Sequence, residues 1–529
     1  MSVASSGKTE HQLSQRLKSN VLKIALFATG LAGIVAEYVL STLATYFLGD
    51  SVFQWTMIVS MMLFSMGLGS RLSKLFEQQL LQKFIYVEFT LSILSAFAAL
   101  LAYTAAAYTV YTGFIIYGFS ILIGLLIGLE IPLVIRLNDE FEELKVNVSS
   151  VMEKDYYGSL LGGIFFAFIG LPYLGLTYTP FILGITNFLV ALLLLLVLWS
   201  VIEKKVKRSL GITAFVVACV LVSGLIFAEP IILYGEQQRY KDKIIYQEQS
   251  RYQRIVMTQW KEHYWLFING NQQLSTLDEQ MYHEPLVHPA MKMLPGVRDV
   301  LVLGGGDGCA VREILKYSEV KNITLVDLDP AMTKLGKNHP VLKTLNQGAL
   351  HHEKVKVVNQ DAFHFLENTH QFFDVIIIDL PDPNTVELGR LYSSEFYTLA
   401  SRQMRPQGVL ITQAGSPYFA TKAFHCINKT MESAGFQTQA FHNQVLTMGE
   451  WGWVLGLKTN DTTGINLKAR LQSLTFQDIE TAWLNQEAMQ LMTSFGKDFF
   501  LPENDSIEVN TVHHPVLYRY YLDGNWDIY

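Results

Sequence analysis

The sequence is poor in charged residues and in cysteine. Charged residues make up only 16% of its 529 positions, while hydrophobic residues make up 50%, a balance that excludes an ordinary soluble globular protein. The three cysteines, Cys219, Cys309 and Cys426, match neither a metal-binding spacing nor a disulfide framework, so we predict no metal site. The net charge is −7 and no basic patch occurs outside short loops, which argues against a nucleic-acid partner.

A cleavable secretion signal is also missing, because residues 1–20 are polar and the first apolar run is too long for a signal peptide. Buried helices of a large soluble core would be an alternative interpretation of the apolar first half, but many consecutive runs with almost no internal charge favour a bilayer. We therefore predict a cytoplasmic tail at 1–20 and a transmembrane domain of about seven helices at 21–229. The predicted spans are 21–48, 52–70, 84–108, 110–135, 156–176, 179–202 and 209–229.

Four acidic residues lie within or at the ends of these spans: Glu37, Glu88, Glu130 and Asp155. Carboxyl groups inside a membrane usually face a cavity and often handle cations or protons. The alternatives are a structural ion pair with a nearby Arg136 or Lys154, or a position close to the membrane surface. The sequence leaves a transport or sensing role of these residues open.

The second half changes in composition at about residue 240. Alternating apolar and polar residues, with a two-residue turn signal at Asn269-Gly270, predict a small antiparallel β domain at 240–276. Strand-like and helix-like stretches then alternate through 277–460, which predicts a parallel sheet covered by helices on both faces. The segment 461–529 has a helical pattern at 470–495 and a tyrosine-rich end, and we assign it no chemical role.

A glycine turn organises this half. The apolar run Val300–Leu303 leads into Gly304, Gly305, Gly306 and Asp307, and a helical segment and a second apolar run follow. This order is typical of a βαβ unit in which Gly304 and Gly306 let the backbone approach a nucleoside closely. A negative charge in the turn disfavours a pyrophosphate or a methionine carboxylate and favours a cationic group. The sequence therefore predicts a nucleoside ligand that carries an ammonium tail.

Acidic residues follow four successive predicted strands. They are Asp307, Asp327, Asp361 and Asp379, and the carboxyl ends of parallel strands border one ligand crevice. Asp327, at the end of the second strand, is placed to accept hydrogen bonds from a ribose diol. Solvated turn aspartates would be the alternative, but the regular placement of these acids disfavours it.

Seven segments resemble the spermidine synthases, the polyamine aminopropyltransferases, and they occur in the same order as in that family. The similarity covers about residues 244–413, and the whole chain resembles the membrane-attached bacterial branch with N-terminal transmembrane helices. The expected architecture is thus a multi-span α-helical membrane domain, then an α/β Rossmann-like (methyltransferase-type) doubly wound domain with a small N-terminal β domain. The segments are YQRI (252–255), DEQMYHE (278–284), GGGDG (304–308), VDLD (326–329), QDA (360–362), DLPDP (379–383) and LYSSEFY (391–397).

The resemblance implies transfer of an aminopropyl group from decarboxylated S-adenosylmethionine to putrescine, giving spermidine and methylthioadenosine without a further cofactor. It assigns Asp307 to the ammonium tail of the donor and Asp327 to the ribose, where most family members carry glutamate. Asp361 corresponds to the residue that binds the adenine amino group, and Ala362 stands where a glycine is usual. Gln253 matches the glutamine that contacts the aminopropyl side of the nucleoside.

The resemblance also implies the catalytic residues. Asp379 would remove the proton that prevents an ammonium from attacking, and Asp382, together with Asp307, would help to hold the acceptor. Tyr282 and His283 match the pair that lines the amine pocket, with Tyr282 as a hydrogen-bond partner of the attacking nitrogen. Packing of Tyr282 against the β domain, and a merely structural role of His283, are the alternatives.

The chain departs from the family after the last strand of the resemblance. Soluble members carry a Tyr- and Pro-rich segment there, whereas this chain has HNQVLTMGEWGW (442–453). Trp451 and Trp453 would either form an aromatic wall for a diamine by cation–π contact or belong to an ordinary strand. The acceptor is therefore open between putrescine, which we favour, and cadaverine, spermidine or another amine.

Two other functions stay open: a polyamine transporter or sensor with a non-catalytic soluble half, and an S-adenosylmethionine-dependent methyltransferase. A dinucleotide oxidoreductase is disfavoured, because Cys309 stands where the third fingerprint glycine would be required. The predicted partners are the two substrates and the lipid bilayer, with a homodimer as a candidate assembly.

Two features of the sequence give conflicting predictions for the side of the membrane on which the catalytic domain lies. Basic N-terminal residues and the basic loops 71–83 and 204–208 favour a cytoplasmic N-terminus, and seven crossings would then leave the catalytic domain outside. A cytosolic donor requires the opposite. We expect a multi-pass protein of the cell (inner) membrane with a cytoplasmic catalytic domain, and 170–180 is the region where the count of spans is most open.

Overall fold

The computed structural model describes residues 2–49, 51–109, 111–139, 141, 143–458, 466–497, 499–500 and 506–526, with side chains from Gln15 onward apart from residue 201. The chain divides into two compact units, Met1–Lys241 and Asp242–Tyr529. The predicted boundary at 460/461 lies outside the described residues.

The first unit is helical. Six continuous helical stretches are long and apolar enough to cross a membrane among the residues that the structure describes. The first helix begins at Ser2, so the backbone of the predicted tail 1–20 continues directly into the first span. The elements are α1 (Ser2–Leu48), α2 (Ser51–Leu72), α3 (Leu80–Tyr108), α4 (Thr112–Asn138), α5 (Leu144–Phe165) with a π-helical continuation (Phe166–Leu174), α6 (Gly175–Val197) and α7 (Lys204–Arg239).

The stretch Leu144–Val197 contains two helices, and the chain changes direction between them. The Thr179 hydroxyl donates a hydrogen bond of 2.9 Å to the Gly170 carbonyl, although nine residues of straight helix would separate them by roughly 14 Å. The chain reverses at Gly175, whose φ of +61° is a backbone conformation that glycine adopts easily. The fifth stretch therefore supplies α5 and α6 as separate helices.

Several helix pairs in the described part of the chain meet through glycine, and two of these contacts are especially close. A Cβ atom at Gly158 would lie 2.0 Å from the Phe27 carbonyl oxygen, which joins α5 to α1. A Cβ at Gly128 would lie 2.1 Å from the Met66 carbonyl oxygen, which joins α4 to α2. Small residues at such interfaces let helix backbones approach closely in an apolar environment.

The second unit begins with a four-stranded antiparallel sheet in the order β1-β2-β3-β4. Asn269 and Gly270 have φ of +51° and +86°, as a two-residue hairpin turn of type I′ requires, and this confirms the predicted turn. The strands are β1 (Lys243–Gln249), β2 (Arg254–Trp260), β3 (His263–Ile268) and β4 (Asn271–Ser275).

A seven-stranded sheet follows in the order β10-β11-β9-β8-β5-β6-β7. β9, β8, β5, β6 and β7 run parallel and β10 and β11 are antiparallel, which confirms the predicted Rossmann-like, doubly wound sheet. The strands are β5 (Asp299–Gly304), β6 (Asn322–Asp327), β7 (Val355–Asn359), β8 (Phe373–Asp379), β9 (Met404–Gln413), β10 (Phe436–Val445) and β11 (Gly449–Lys458).

Apolar side chains cover both faces of this sheet. Along β5, Val300 and Val302 belong to one hydrophobic cluster, while Leu301 and Leu303 belong to another on the opposite face, as the two-residue period of a strand requires. The helices are α8 (Gln280–Lys292), α9 (Cys309–Leu315), α10 (Pro330–Asn338), α11 (Pro340–Leu345), α12 (Ala362–Asn368), α13 (Val386–Gly389), α14 (Ser394–Arg402), α15 (Thr421–Ser433), α16 (Leu467–Gln472), α17 (Gln486–Met492) and α18 (Leu517–Leu522).

The helix predicted at 470–495 is wrong, because only α16 and α17 form there. The carboxylate of Glu284 accepts the backbone N–H groups of Ala482, Trp483 and Leu484 at 2.6 to 3.0 Å. Those donors are thereby held in a loop, and α17 begins afterwards at an Asn485 cap.

Candidate active site

A cleft with a cavity volume of about 150 Å³ opens at the carboxyl ends of the parallel strands. It meets the rule that ligands of open α/β sheets bind beyond the strand ends, where the chain order switches between β5 and β8. Most of the residues that the sequence singles out line it: Gln253, Tyr282, His283, Gly304, Gly306, Asp307, Asp327, Asp379 and Asp382.

The backbone of the glycine turn is in close contact with two of these acidic residues. A Cβ at Gly304 would lie 2.0 Å from the Asp379 carbonyl oxygen, and Gly304 has a φ of +84°. A Cβ at Gly306 would lie 2.6 Å from Oδ2 of Asp327, and the Gly306 N–H donates to that same oxygen at 3.1 Å. Only glycine fits these two positions without displacing the acids.

Asp327 is almost enclosed by protein. Its Oδ1 accepts the Asp329 N–H at 2.8 Å, and burial, reinforced by the charges of Asp329 and Asp307, raises the pKa of Asp327 to about 7. Asp329 caps α10 and accepts a hydrogen bond of 2.6 Å from the hydroxyl of Ser250. Ser250 also receives the N–H of Gln253, so it links the loop that carries Gln253 to the end of β6.

Asp379 and Tyr282 form a hydrogen-bonded pair in the cleft. The Tyr282 hydroxyl donates to Oδ1 of Asp379 at 2.8 Å. Burial raises the pKa of Asp379 to about 6, against the opposing effects of nearby His283 and of the Tyr282 hydrogen bond. Burial and the Asp379 carboxylate raise the pKa of Tyr282 well above its ordinary value, so Tyr282 stays a neutral donor.

His283 is held by a buried charge network. Its Nδ1 lies 2.8 Å from Oε2 of Glu279, and its Nε2 lies 3.8 Å from Oδ1 of Asp307. Burial alone would lower the pKa of His283, but Glu279, Asp307 and Asp379 together raise it to about 9. His283 is therefore an imidazolium at neutral pH, and the guanidinium of Arg312 binds both oxygens of Glu279 behind it.

Asp382 is positioned by two residues that sequence reasoning missed. Oδ2 of Asp382 accepts a 2.7 Å hydrogen bond from the hydroxyl of Tyr521, and Oδ1 accepts one of 3.2 Å from Gln413. Burial raises the pKa of Asp382 to about 6 even though both bonds lower it. Gln413 is the last residue of β9, so the rule that ligands bind beyond the strand ends could have identified it. Tyr521 lies in the tyrosine-rich C-terminal segment, for which the sequence indicates no role.

Asp361 and Ala362 are not brought into the lining of the cleft. Asp361 caps α12 through a hydrogen bond from the His364 N–H, and its other oxygen is paired with the guanidinium of Arg390. Asp361 follows β7, at the same edge of the sheet as Asp327. The side chain is thus near the cleft but engaged within the protein.

The sequence left two roles open for the tryptophans of β11, a wall of the cleft and a place in an ordinary strand, and each tryptophan has one of them. Trp451 lines the cleft. Trp453 is fully buried, stacks on Phe441 with ring centroids 5.8 Å apart, and lies 5.6 Å from the Tyr282 ring. Trp453 therefore belongs to the core that supports Tyr282, and Trp451 is the aromatic wall of the cleft.

Two groups of side chains in the described part of the chain lie close enough to share a metal ion: Glu279, His283 and Cys309, and His283, Asp307 and Asp379. Both depend on His283, which the surrounding carboxylates keep protonated, and a protonated imidazole is no metal ligand. Glu279 is already occupied by Arg312. The donor sets therefore do not fit a metal.

Comparison with known proteins decides the family. Residues 279–469 match the Spermine/spermidine synthase domain. Polyamine aminopropyltransferase 2 of Aquifex aeolicus is 41% identical over 95% of this chain and 98% of its own length. The chain belongs to the polyamine aminopropyltransferase family. The polyamine aminopropyltransferase of Oceanobacillus iheyensis is 38% identical over 96% of this chain and 98% of its own length.

These relatives cover both units of the chain, so the aminopropyltransferase family includes proteins with the helical first unit. A crystal structure of a spermidine synthase in complex with the transition-state analogue AdoDATO is 25% identical over 48% of this chain and 86% of its own, with a TM-score of 0.43. Family membership confirms the resemblance drawn from the seven segments and makes the chain an aminopropyltransferase. The methyltransferase alternative and the non-catalytic alternative are both set aside by it.

Proposed function

We propose that the cleft transfers the aminopropyl group of decarboxylated S-adenosylmethionine to a diamine, with putrescine as the favoured acceptor. The observation that carries this is the hydrogen-bonded Tyr282–Asp379 pair, which lies beside the glycine turn among further carboxylates. A crevice of this charge selects ligands with ammonium groups and repels carboxylates.

The donor would lie across the glycine turn. We assign the ribose to Asp327 and the ammonium tail to Asp307, and Gln253 to the aminopropyl side of the nucleoside. Asp361 and Ala362 remain our candidates for the adenine. Arg390 would have to release Asp361 before that carboxylate could accept from the adenine amino group.

The acceptor amine would lie between Asp379 and Asp382, near Trp451. An aliphatic ammonium has a pKa of roughly 10 and no lone pair for attack. The rise of the Asp379 pKa from its ordinary 3.8 to about 6 reduces the cost of moving a proton from the amine to this carboxylate by roughly 3 kcal/mol. We therefore assign Asp379 as the proton acceptor and Asp382 as the anchor of the acceptor.

The bond changes balance without a metal or further cofactor. The amine nitrogen forms a bond to the carbon next to the sulfonium as the carbon–sulfur bond breaks, and the electron pair goes to sulfur. Methylthioadenosine leaves as a neutral thioether, and Asp379 receives the proton lost by nitrogen. Catalysis then rests on positioning and on the removal of that proton.

We propose that His283 acts without touching the amine. A cationic imidazole repels an ammonium, so a direct contact would weaken acceptor binding. Its charge instead keeps Asp379 ionised, since His283 lowers the pKa of that carboxylate. Direct acceptor binding is therefore left to Asp382 and Asp307.

We propose that the helical unit spans the cell membrane and that the catalytic unit lies in the cytoplasm, where the donor is made. The six apolar helical stretches support the first part by length and composition. The homodimer stays a prediction, which the molar mass of the detergent-solubilised protein tests.

The test is turnover by the detergent-solubilised protein. With decarboxylated S-adenosylmethionine and a panel of amines, methylthioadenosine should be released, fastest with a diamine. Asp379→Asn should lower kcat by about 10²- to 10⁴-fold while methylthioadenosine still binds, and Tyr282→Phe, which keeps the carboxylate, should lose less. Normal rates in Asp379→Asn would remove Asp379 as the proton acceptor.

A further inference from the structure

Two carboxyl groups lie buried inside the helical unit. Glu88 of α3 is 0% exposed and Glu130 of α4 is 1% exposed. Oε2 of Glu88 and both carboxyl oxygens of Glu130 have no hydrogen-bond partner among the residues that the structure describes. The Thr29 hydroxyl, which also bonds the Ala25 carbonyl, donates to Oε1 of Glu88 at 3.2 Å.

A third carboxyl group belongs to the same cluster. Oδ1 of Asp155 would lie 2.8 Å from a Cβ at Gly30, next to Thr29 on α1, and Glu130 is within electrostatic range of both Glu88 and Asp155. The two cations considered as ion-pair partners from the sequence, Lys154 and Arg136, have other partners. Lys154 pairs with Glu153, and Arg136 donates to the Ser73 carbonyl.

Burial of these carboxyl groups raises the free energy of the folded protein unless a cation binds to them. A buried carboxylate without a partner pays a large desolvation penalty, and a buried polar group that stays unpaired costs free energy even when neutral. Acidic residues inside membrane helices usually mark a pathway or a binding site. The three groups come from α3, α4 and α5, so the cluster lies where these helices meet.

A cavity of about 350 Å³ touches the three helices that contribute Thr29, Glu88 and Glu130. Its lining includes Leu22 of α1, Leu81 and Gln82 of α3, and Arg136 and Leu137 of α4, together with the acidic residues Glu77 and Glu203. Gln82 is 6% exposed, and its Oε1 has no partner in the described part of the chain. An unpaired carbonyl oxygen in the wall of a cavity is an acceptor that a ligand with N–H groups can satisfy.

The cavity and the carboxyl cluster are in register. Leu22, Leu81 and Leu137 each lie seven residues, roughly 10.5 Å of helix, from Thr29, Glu88 and Glu130 respectively. Between the two levels the same helix faces present only buried apolar side chains. They are Leu26, Ile85 and Leu133.

A fourth helix adds another unpaired polar group at the level of the cluster. Ser92 donates to the Gly184 carbonyl at 2.6 Å, and the rings of Phe89 and Phe188 are 5.9 Å apart. This antiparallel register places Asn187 of α6 close to the level of Glu88. Oδ1 of Asn187 is buried without a partner among the described residues.

We propose that the helical unit contains a second amine site, in which a linear polyamine places one ammonium group at Gln82 and another at the carboxyl cluster. The order of polar cavity, apolar layer and carboxyl layer matches ammonium groups separated by a methylene chain. A compact metal ion fits less well, because these carboxyl oxygens do not form a set within 4.8 Å among the described residues. The choice of an alkylamine rests on the proposed amine chemistry of the catalytic cleft.

Titration of the full-length protein in detergent with spermidine tests the site. An Asp307→Asn/Asp379→Asn/Asp382→Asn background removes acceptor binding in the cleft and should leave one spermidine bound per chain. Glu88→Gln or Glu130→Gln in that background should weaken this binding at least tenfold. Glu229→Gln is the matched control, because Glu229 already accepts a 2.8 Å hydrogen bond from Tyr178, and it should bind as the background does.

Gln82→Leu supplies a second variant outside the carboxyl cluster, should the glutamate variants fail to fold, and it should also weaken the binding. Spermidine binding that is absent from the background, or unchanged in Glu88→Gln, Glu130→Gln and Gln82→Leu, would overturn the site. Failure of the proposed reaction is a separate result, seen as absent methylthioadenosine release by the wild-type protein while Glu130-dependent binding persists.

Discussion

The hydroxyl of Tyr521 donates a 2.7 Å hydrogen bond to Oδ2 of Asp382, a residue 139 positions earlier in the chain. The tyrosine-rich end of the sequence thus reaches the wall of the catalytic cleft. The Tyr521 ring also packs against Trp526, with ring centroids 4.6 Å apart, which fixes the hydroxyl toward the carboxylate.

Replacement of Tyr521 should affect the acceptor more than the donor. Tyr521→Phe removes the hydrogen bond to Asp382 and keeps the ring, so KM for the amine should rise about three- to tenfold, the net worth of a typical hydrogen bond of about 1 kcal/mol. Binding of methylthioadenosine should stay the same. Tyr518→Phe is the matched control, because Tyr518 contacts Arg519 rather than the cleft, and an equal effect in both variants would contradict the assignment.

The activity should decline on the acidic side at an unusually high pH. Burial raises the pKa of Asp379 and of Asp382 to about 6 each, and both carboxyls must be ionised, one to accept a proton and one to hold an ammonium. Activity is therefore present above this range and lost as the pH falls through about 6. Measurement of kcat/KM, which reports groups of the free enzyme, should show the loss.

Two variants sharpen this pH test. Asp382→Asn should leave a limb that depends on a single proton. Tyr521→Phe removes a hydrogen bond that lowers the pKa of Asp382, so its limb should move to higher pH. A wild-type limb near the ordinary carboxyl pKa of about 4 would contradict the raised pKa of these two carboxyls, and the absence of an acidic limb would show that neither is needed in its ionised form.

Asp307 should control selection of the donor by its tail. Asp307→Asn removes the negative charge beside the proposed ammonium, so affinity for decarboxylated S-adenosylmethionine should fall about tenfold or more, while its preference over S-adenosylmethionine narrows. Calorimetric titration with both nucleosides measures this. Methylthioadenosine, which lacks the aminopropyl group, serves as the control ligand and should bind equally well to both proteins.

The side of the membrane can be read with reporters inserted into the full chain. A fluorescent protein inserted after Arg239 should be bright, as a cytoplasmic catalytic unit requires, whereas a periplasmic phosphatase at this position should be inactive. An insertion after Gly49 should report the same side, because α2 to α7 make six crossings when the chain reverses at Gly175. An insertion after Glu203 should report the opposite side.

Opposite signals after Gly49 and Arg239 would mean that α5 and α6 do not cross separately. A phosphatase signal after Arg239 would place the catalytic unit outside and would contradict either the topology or the cytosolic donor.

The parts of the site that follow from local rules could be predicted from sequence. Asp327 and Asp379 end buried parallel strands, and the strand-end rule alone brings them to one crevice. Gly304 and Gly306 were recognisable because a tight turn next to a ligand restricts those positions to glycine. In the first half, the length of the apolar runs was enough to expect a helical unit.

The parts that depend on long-range contacts could not be predicted. Tyr521 reaches Asp382 only through packing of the C-terminal segment, which has no periodic pattern to indicate it. The helix expected at 470–495 is replaced in part by a loop, because Glu284 captures three of its backbone donors. Pairing of Asp361 with Arg390 likewise joins residues whose contact no motif implies.

The glycine contacts of the helical unit restrict how it can rearrange. α1 with α5, and α2 with α4, meet backbone to backbone at Gly158 and Gly128, where no side chain is present to change rotamer as the helices slide. Each pair must therefore travel as one body. Any widening that admits a ligand to the space around Glu130 has to open along the seams between these two bodies, or beside α3 and α6, and not within either pair.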